Sequence, residues 1–346
     1  MKKHSLAIVA LIFSISCISQ KNDFKIGQKS ITYTDISRNR PLLTEIWYPT
    51  YDSIYKNNTD EHRKELFKTI QTIPLASIPD KKFPLLLISH GTGGNRFSLT
   101  WFVEKMVKEG YIVAAIDHFG NSTFNKIPRE FLKWWERAID IQYVLTEIID
   151  HQEIGNRIDI SKIGGVGFSL GGYTHIALAG GYVDRNYKGT ENKEENTREL
   201  PPEFPETKET IDFDTDSLIV SSYNKYKNQV KDDRIKAFFV MAPAIGFGFY
   251  SKKQTSEIIA PVFIIAGRGD KIEPVRYNAE KYHNLIKNSQ IHLFDKKVGH
   301  YVFLNEPTQL GKKVIPEITI DLPEVSRKEI HEKTVKLAID FFKQHL

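Results

Sequence analysis

Apolar positions in this chain gather into short unbroken runs rather than long periodic tracts. Phe83–Ser89 is such a run, and Tyr111–Ile116, Lys162–Gly167, Lys236–Met241, Pro261–Ala266 and Ile291–Phe294 read as further strands. Apolar runs without polar alternation belong to strands covered on both faces, as in parallel sheets. Helical spacing fills the gaps between them. It appears around Ser98–Glu109, over Tyr173–Ala179 and Ala279–Ile286, and in the closing stretch Val325–Leu346. Pro128 and Arg129 open a longer amphipathic helix to about Ile149, with Leu132, Trp135, Ile139, Tyr143 and Val144 near one face. Strands alternating with helices predict an α/β fold, a mostly parallel doubly wound sheet with helices on both faces.

Three stretches depart from that alternation. Ile31–Ile36 and Leu42–Tyr48 are β-rich and flank a polar link, which predicts a hairpin. Tyr51–Lys82 is polar and carries Pro74 and Pro79, so a surface excursion with one short helix is expected. Asp184–Asp216 is charged and short of apolar residues, an insertion outside the core that could act as a flap. No repeat, heptad or low-complexity tract interrupts the rest. The 346 residues can bury one core, so a single domain over 21–346 is expected.

Composition adds little until the N-terminus. A net charge of +5 is mild, and no block of lysine and arginine interleaved with aromatics suggests a nucleic-acid face. Lys2-Lys3-His4 precedes the apolar Leu6–Ile15 and then Cys17, a signal-peptide layout over residues 1–20. Cys17 is the single cysteine, and Ser14-Ile15-Ser16-Cys17 resembles a bacterial lipobox with serine where leucine is commoner. The expectation is an exported protein held on a membrane by a lipid on Cys17. The alternative is cleavage beyond it and a soluble exported product.

Chemistry enters at Gly167-Phe168-Ser169-Leu170-Gly171, which fits the G-x-S-x-G nucleophile elbow between a strand and a helix. Gly165-Val166-Gly167 also opens like a dinucleotide loop, but Leu170 occupies the place of its third glycine. A serine hydroxyl needs a base, and the base needs a carboxylate to fix its tautomer and stabilise the imidazolium. Asp270 follows the run Pro261–Ala266, and His300 follows Ile291–Phe294. The chain order Ser169…Asp270…His300 is that of an α/β triad, and the carboxyl ends of parallel strands lie on one rim. Asp295 and Glu273 are the rival acids, while His175 and His292 are better read as packing residues. His90-Gly91-Thr92-Gly93-Gly94 supplies a flexible loop whose Thr92 N–H, with that of Leu170, would hold an oxyanion. His90 itself is expected to order that loop. No H-E-x-x-H or paired-cysteine pattern calls for a metal, and no cofactor is expected.

Those motifs, with Ala115-Ile116-Asp117-His118-Phe119-Gly120, Gly299-His300 and the tail from Ile330-His331 to Phe341-Phe342, resemble the α/β-hydrolase superfamily. Within it the chain is similar to bacterial proteins called predicted dienelactone hydrolases, akin to platelet-activating-factor acetylhydrolase, from about Ile31 to its end. The resemblance implies an ester hydrolase favouring short acyl groups. Two departures matter. Dienelactone hydrolases proper use a cysteine where Ser169 stands. The acetylhydrolases place their acid after the sixth core strand, where this chain has Met241-Ala242-Pro243 and no carboxylate, so the acid falls to Asp270.

The expected activity is therefore hydrolysis of a small-molecule or lipid ester through an acyl-enzyme on Ser169. A serine peptidase or amidase, and a catalytically silent binding module, are the alternatives. Phe119, Trp134 and Trp135 could line an acyl pocket, but aromatics at helical spacing more often belong to a core.

Overall fold

The first two strands, β1 (Lys25–Asp35) and β2 (Arg40–Thr50), form an antiparallel hairpin longer than its apolar pattern alone implied. This computed structural model describes residues 23–53, 65–185, 203, 205 and 211–346. Cys17, the rest of the 1–20 segment and most of the 184–216 insertion lie outside the described residues.

The remaining strands are β3 (Ile73–Pro74), β4 (Phe83–Ser89), β5 (Ile112–Ile116), the small ribbon β6 (Asn121–Ser122) and β7 (Asn125–Lys126), β8 (Ile158–Phe168), β9 (Ala237–Met241), β10 (Val262–Gly267) and β11 (Ser289–Phe294). The helices are α1 (Thr100–Lys108), α2 (Pro128–Leu132), α3 (Glu136–Asp150), α4 (Leu170–Leu178), α5 (Ser217–Tyr226), α6 (Ala279–Leu285), α7 (Gln309–Val314), α8 (Pro316–Thr319) and α9 (Arg327–His345). The main sheet runs β11-β10-β9-β8-β4-β5-β2-β1-β3. Every pairing from β11 to β5 is parallel, and only β2 runs against its neighbours. The mostly parallel, doubly wound sheet expected from the alternation is observed, and its order fits the α/β-hydrolase fold that the motifs resemble.

Period-two alternation divides the core. On β4, Leu85 and Leu87 join one apolar cluster, and Leu86 and Ile88 join the other. Helices α3 to α6 cover the first face, and α1 and α9 cover the second. Strand order reverses between β4, which is followed by β5 on one side, and β8, which is followed by β9, β10 and β11 on the other. At such a switch point the loops leaving two adjacent strands part in opposite directions and open a crevice.

Three expectations need correction. The long helix from Pro128 is broken at Lys133, whose ψ of 58° leaves the helical region. The break lets Trp135 donate to Ser222 Oγ on α5 while Trp134 stacks on Phe213. The 51–82 stretch holds no helix among its described residues. Instead β3 pairs with β1, and residues 66–68 run beside 306–308 as a strap, with Lys68 N–H on Glu306 O and Thr308 N–H on Leu66 O. The described end of the insertion is not outside the core either, because Ile211 and Phe213 pack against it. Helix α5 then starts at Asp216, whose carboxylate accepts from the N–H groups of Leu218 and Ile219.

Candidate active site

Ser169 stands between β8 and α4 with φ 54° and ψ −118°, a conformation that a side chain pays for in strain. Its neighbours hold it there. Ser169 N–H donates to Met241 O, and Ser169 O accepts from Gly172, Tyr173 and Ala244. The flanking glycines are required by close approach. A Cβ on Gly167 would come within 2.1 Å of Gly171 O, and one on Gly171 within 1.9 Å of Ser89 O. The strand, helix and β4 loop therefore meet at backbone contact.

Asp270 leaves the turn after β10, and its Oδ2 is 2.6 Å from His300 Nδ1. Its other oxygen accepts from Glu273 N–H at 2.7 Å, so the carboxylate is held at both ends. His300 begins the turn after β11 and is buried, with the ring of Phe168 at 4.9 Å. Burial works to lower the His300 pKa, but the charge and hydrogen bond of Asp270, helped by Glu273 and Glu203, outweigh it and raise the pKa above 6.5. With Nδ1 engaged by Asp270, Nε2 is the nitrogen left for the cavity that His300 and Ser169 both line.

That turn is bolted from behind. Trp101 donates from its indole to Phe303 O, and His331 Nε2–H donates to Val302 O. The two rings stack at 3.7 Å. Asn305 accepts from Thr100 Oγ1 and Trp101 N–H at the start of α1.

Thr92 lines the same cavity, while Leu170 opens α4 with its side chain in the core. Nearby, Gly93 N–H is engaged by Asn121 Oδ1, Gly94 N–H by Gly91 O, and the N–H groups of Gly172 and Tyr173 by Ser169 O. Among the described residues no hydrogen bond uses the N–H of Thr92 or Leu170. These are donors suited to a developing negative charge.

Of the rivals, Glu273 lies beside the pair and donates its N–H to Asp270, and the others sit elsewhere. Asp295 is exposed and accepts from Lys297 N–H. His175 is enclosed in α4, and burial pushes its pKa down to about 3. His292 is half-buried on β11. His90 Nδ1–H donates to Gly91 O and Nε2 accepts from His118 N–H, which orders the loop. Trp134 and Trp135 pack against α5 and its approach rather than the cavity.

Sequence reasoning missed two features. Glu203, inside the insertion, lines the cavity and accepts from Tyr301 O–H at 3.3 Å. Burial raises its carboxyl pKa. It lies so close to Gly93 that a Cβ there would be 2.8 Å from Glu203 Cβ and 3.1 Å from its main-chain O. No apolar pattern marks it. The second is another serine–histidine–aspartate chain: Ser89 Oγ lies 2.9 Å from His118 Nε2, and His118 Nδ1 lies 3.1 Å from Asp140 Oδ2. All three are closed off from solvent and none lines the cavity, so this chain cannot meet a substrate.

The cavity is about 1330 Å³ and runs from Ser169 and His300 past Arg96 and Phe97 to Gln28 and Ser30, under the 65–72 strap. Among the described residues no His, Cys, Asp and Glu cluster is arranged to hold a metal ion, and no helix is long and apolar enough to cross a membrane.

Residues 67–128 match the family model described as platelet-activating factor acetylhydrolase, isoform II. That span holds the strap, the Thr92 loop and β5, and ends before Ser169. Two relatives from Thermobifida alba, cutinase est1 and cutinase est2, are each 33% identical over 94 residues. The match covers 27% of this chain and 29% of each of theirs, so it spans less than a third of either relative. A solved ferulic acid esterase from Streptomyces cinnamoneus superposes with a TM-score of 0.58 at 17% identity, covering 96% of this chain and 92% of that one. These similar proteins are named as ester-cleaving enzymes, and the structural likeness extends over nearly the whole fold.

Proposed function

We propose, from the premise that this chain is an α/β-hydrolase by its fold, that it is a serine hydrolase of carboxylic esters. The observation that carries the reading is the 2.6 Å bond between Asp270 and His300 on the cavity that Ser169 lines from a strained turn. In this mechanism His300 Nε2 takes the Ser169 proton as Oγ attacks the acyl carbon. Asp270 holds the tautomer that leaves Nε2 free and stabilises the imidazolium. The N–H groups of Thr92 and Leu170 receive the oxyanion, a contribution of ~3 kcal/mol per donor by mutational precedent. His300 then protonates the departing alcohol, and water releases the acyl group by the same steps in reverse.

Substrate size follows from the cavity. It exceeds the roughly 300–1000 Å³ common for ligand pockets, at about 1330 Å³. A short acyl group at Ser169 leaves most of that space to the alcohol. Export, and a lipid on Cys17 that would bring the site to membrane esters, complete the reading.

One panel tests it: p-nitrophenyl acetate, its matched anilide, and acetate esters of small and bulky alcohols. The expected result is ester hydrolysis, anilide turnover lower by at least about 100-fold, and kcat/KM rising with alcohol size. Comparable anilide turnover would favour the peptidase or amidase reading. No turnover of any ester by folded protein would favour a binding module.

A further inference from the structure

The two N–H groups assigned to the oxyanion belong to different elements, the loop after β4 and the first turn of α4. Something must fix their separation. One buried side chain touches the supports of both. Arg137, on α3, donates from Nη2 to His90 O and, at 3.2 Å, to Ser89 Oγ. From Nε it donates to Thr174 Oγ1 at 3.2 Å, and Thr174 Oγ1 donates to Leu170 O at 3.0 Å. Directly and through Thr174, the guanidinium therefore links the residue two before Thr92 to the carbonyl of Leu170, the same residue whose N–H is assigned to the oxyanion.

Its own placement is determined in turn. Ser89 Oγ–H donates to His118 Nε2, and His118 Nδ1–H donates to Asp140 one turn along α3. Burial first, then the charges of Arg137 and Arg40, keep His118 well below the ordinary histidine range, so it is neutral and Nε2 can accept. Arg38 Nη2 and Arg40 Nε approach Asp140 Oδ1 at 2.9 Å, ion pairs rather than well-aligned hydrogen bonds. His118 N–H also donates to His90 Nε2. Burying this many charged groups under a loop is costly, and replacing such networks by apolar side chains is often neutral or stabilising. A purpose beyond stability is thus implied.

We propose that Arg137 is a positioning residue for the oxyanion hole, holding the Thr92 and Leu170 N–H groups at a fixed separation through His90 O and the Thr174 hydroxyl. The inference rests on the esterase reading of the Ser169 site. A donor displaced by a fraction of an ångström loses part of its transition-state bond while substrate binding is untouched.

The test uses the full-length protein with Thr174→Val, Arg137→Lys and the double variant, assayed on p-nitrophenyl acetate well below each melting temperature. Binding of a trifluoromethyl ketone, which forms a tetrahedral oxyanion on the serine, is measured in parallel. Thr174→Val removes one hydroxyl of similar shape, so it decides the matter if Arg137→Lys does not fold. The expected result is a loss of about tenfold in kcat with KM within twofold. Ketone affinity falls by the same factor, and the double variant is no worse than Arg137→Lys alone because one chain of bonds is cut twice. Thr174→Val with kcat and ketone affinity within twofold of wild type overturns the proposal, as does a change in KM alone or a multiplicative double variant. A folded wild type that neither turns over the ester nor binds the ketone sinks the esterase reading and this role with it. An active wild type with unaltered variants sinks this role alone.

Discussion

Two histidines of this chain sit in near-identical bonding patterns and do different work. His118 and His300 each face an aspartate through Nδ1. His118 is surrounded by arginines and kept neutral, whereas His300 has Asp270, Glu273 and Glu203 about it and is pushed above 6.5. The sign for activity follows. A base must be unprotonated, so kcat/KM should fall as pH drops through the raised His300 value, giving an acid limb above 6.5. Asp270→Asn removes the largest upward influence and leaves burial, which lowers the pKa. The limb should therefore move to lower pH while kcat drops by about 10⁴-fold. Glu203→Gln should move it the same way with kcat nearly kept. A limb that stays in place in both variants would mean another group titrates. As candidates, Ser169, Asp270 and His300 are legible because each follows a strand-like stretch in the order of an α/β triad. Arg137 and Asp140 were not singled out, although they share the buried stripe of α3 with Ile141 and Val144, and a charge on such a stripe is the signal to look for.

At the scale of elements, the elbow works because three backbones touch. Gly171→Ala would set a Cβ 1.9 Å from Ser89 O, a clash with a backbone oxygen that no rotamer relieves. The cost should be about 3 kcal/mol or more, read as a lower midpoint in urea unfolding, together with loss of turnover. A variant of unchanged midpoint would show that α4 and the β4 loop can separate cheaply. The runs β4, β5, β9 and β10 were readable because burial on both faces removes polar alternation. The strap was not, since Leu66, Phe67, Ile70 and Ile73 are spaced as on a helix, whereas the stretch gains its place from backbone bonds to 306–308 and to β1, which no local pattern encodes. The broken helix was misread for a related reason. Spacing across Lys133 suits a continuous helix, and the tertiary contacts of Trp134 and Trp135 override it.

For the whole molecule, topology explains why the site is where it is. Strand order reverses between β4 and β8, and the crevice there receives Thr92 from one loop and Ser169 from the other, while β10 and β11 deliver Asp270 and His300 to the same rim. That convergence could be anticipated from chain order, but the size of the cavity could not, because the strap and Glu203 that wall it are placed by long-range contacts that their local pattern does not encode. The N-terminal reading carries its own expectation. Mass spectrometry of the mature protein from a bacterial host should find a diacylglyceryl group on Cys17, and a mature terminus downstream of Cys17 would remove the anchor.

The central claim is that His300 and Asp270 make one hydroxyl nucleophilic. Fluorophosphonate labelling of the native protein, with the adduct mapped by peptide mass spectrometry, reads that directly. One adduct is expected, on Ser169, formed at least about 100-fold more slowly in His300→Ala and absent in Ser169→Ala. A folded protein that takes no label, or takes it on another serine, would contradict it.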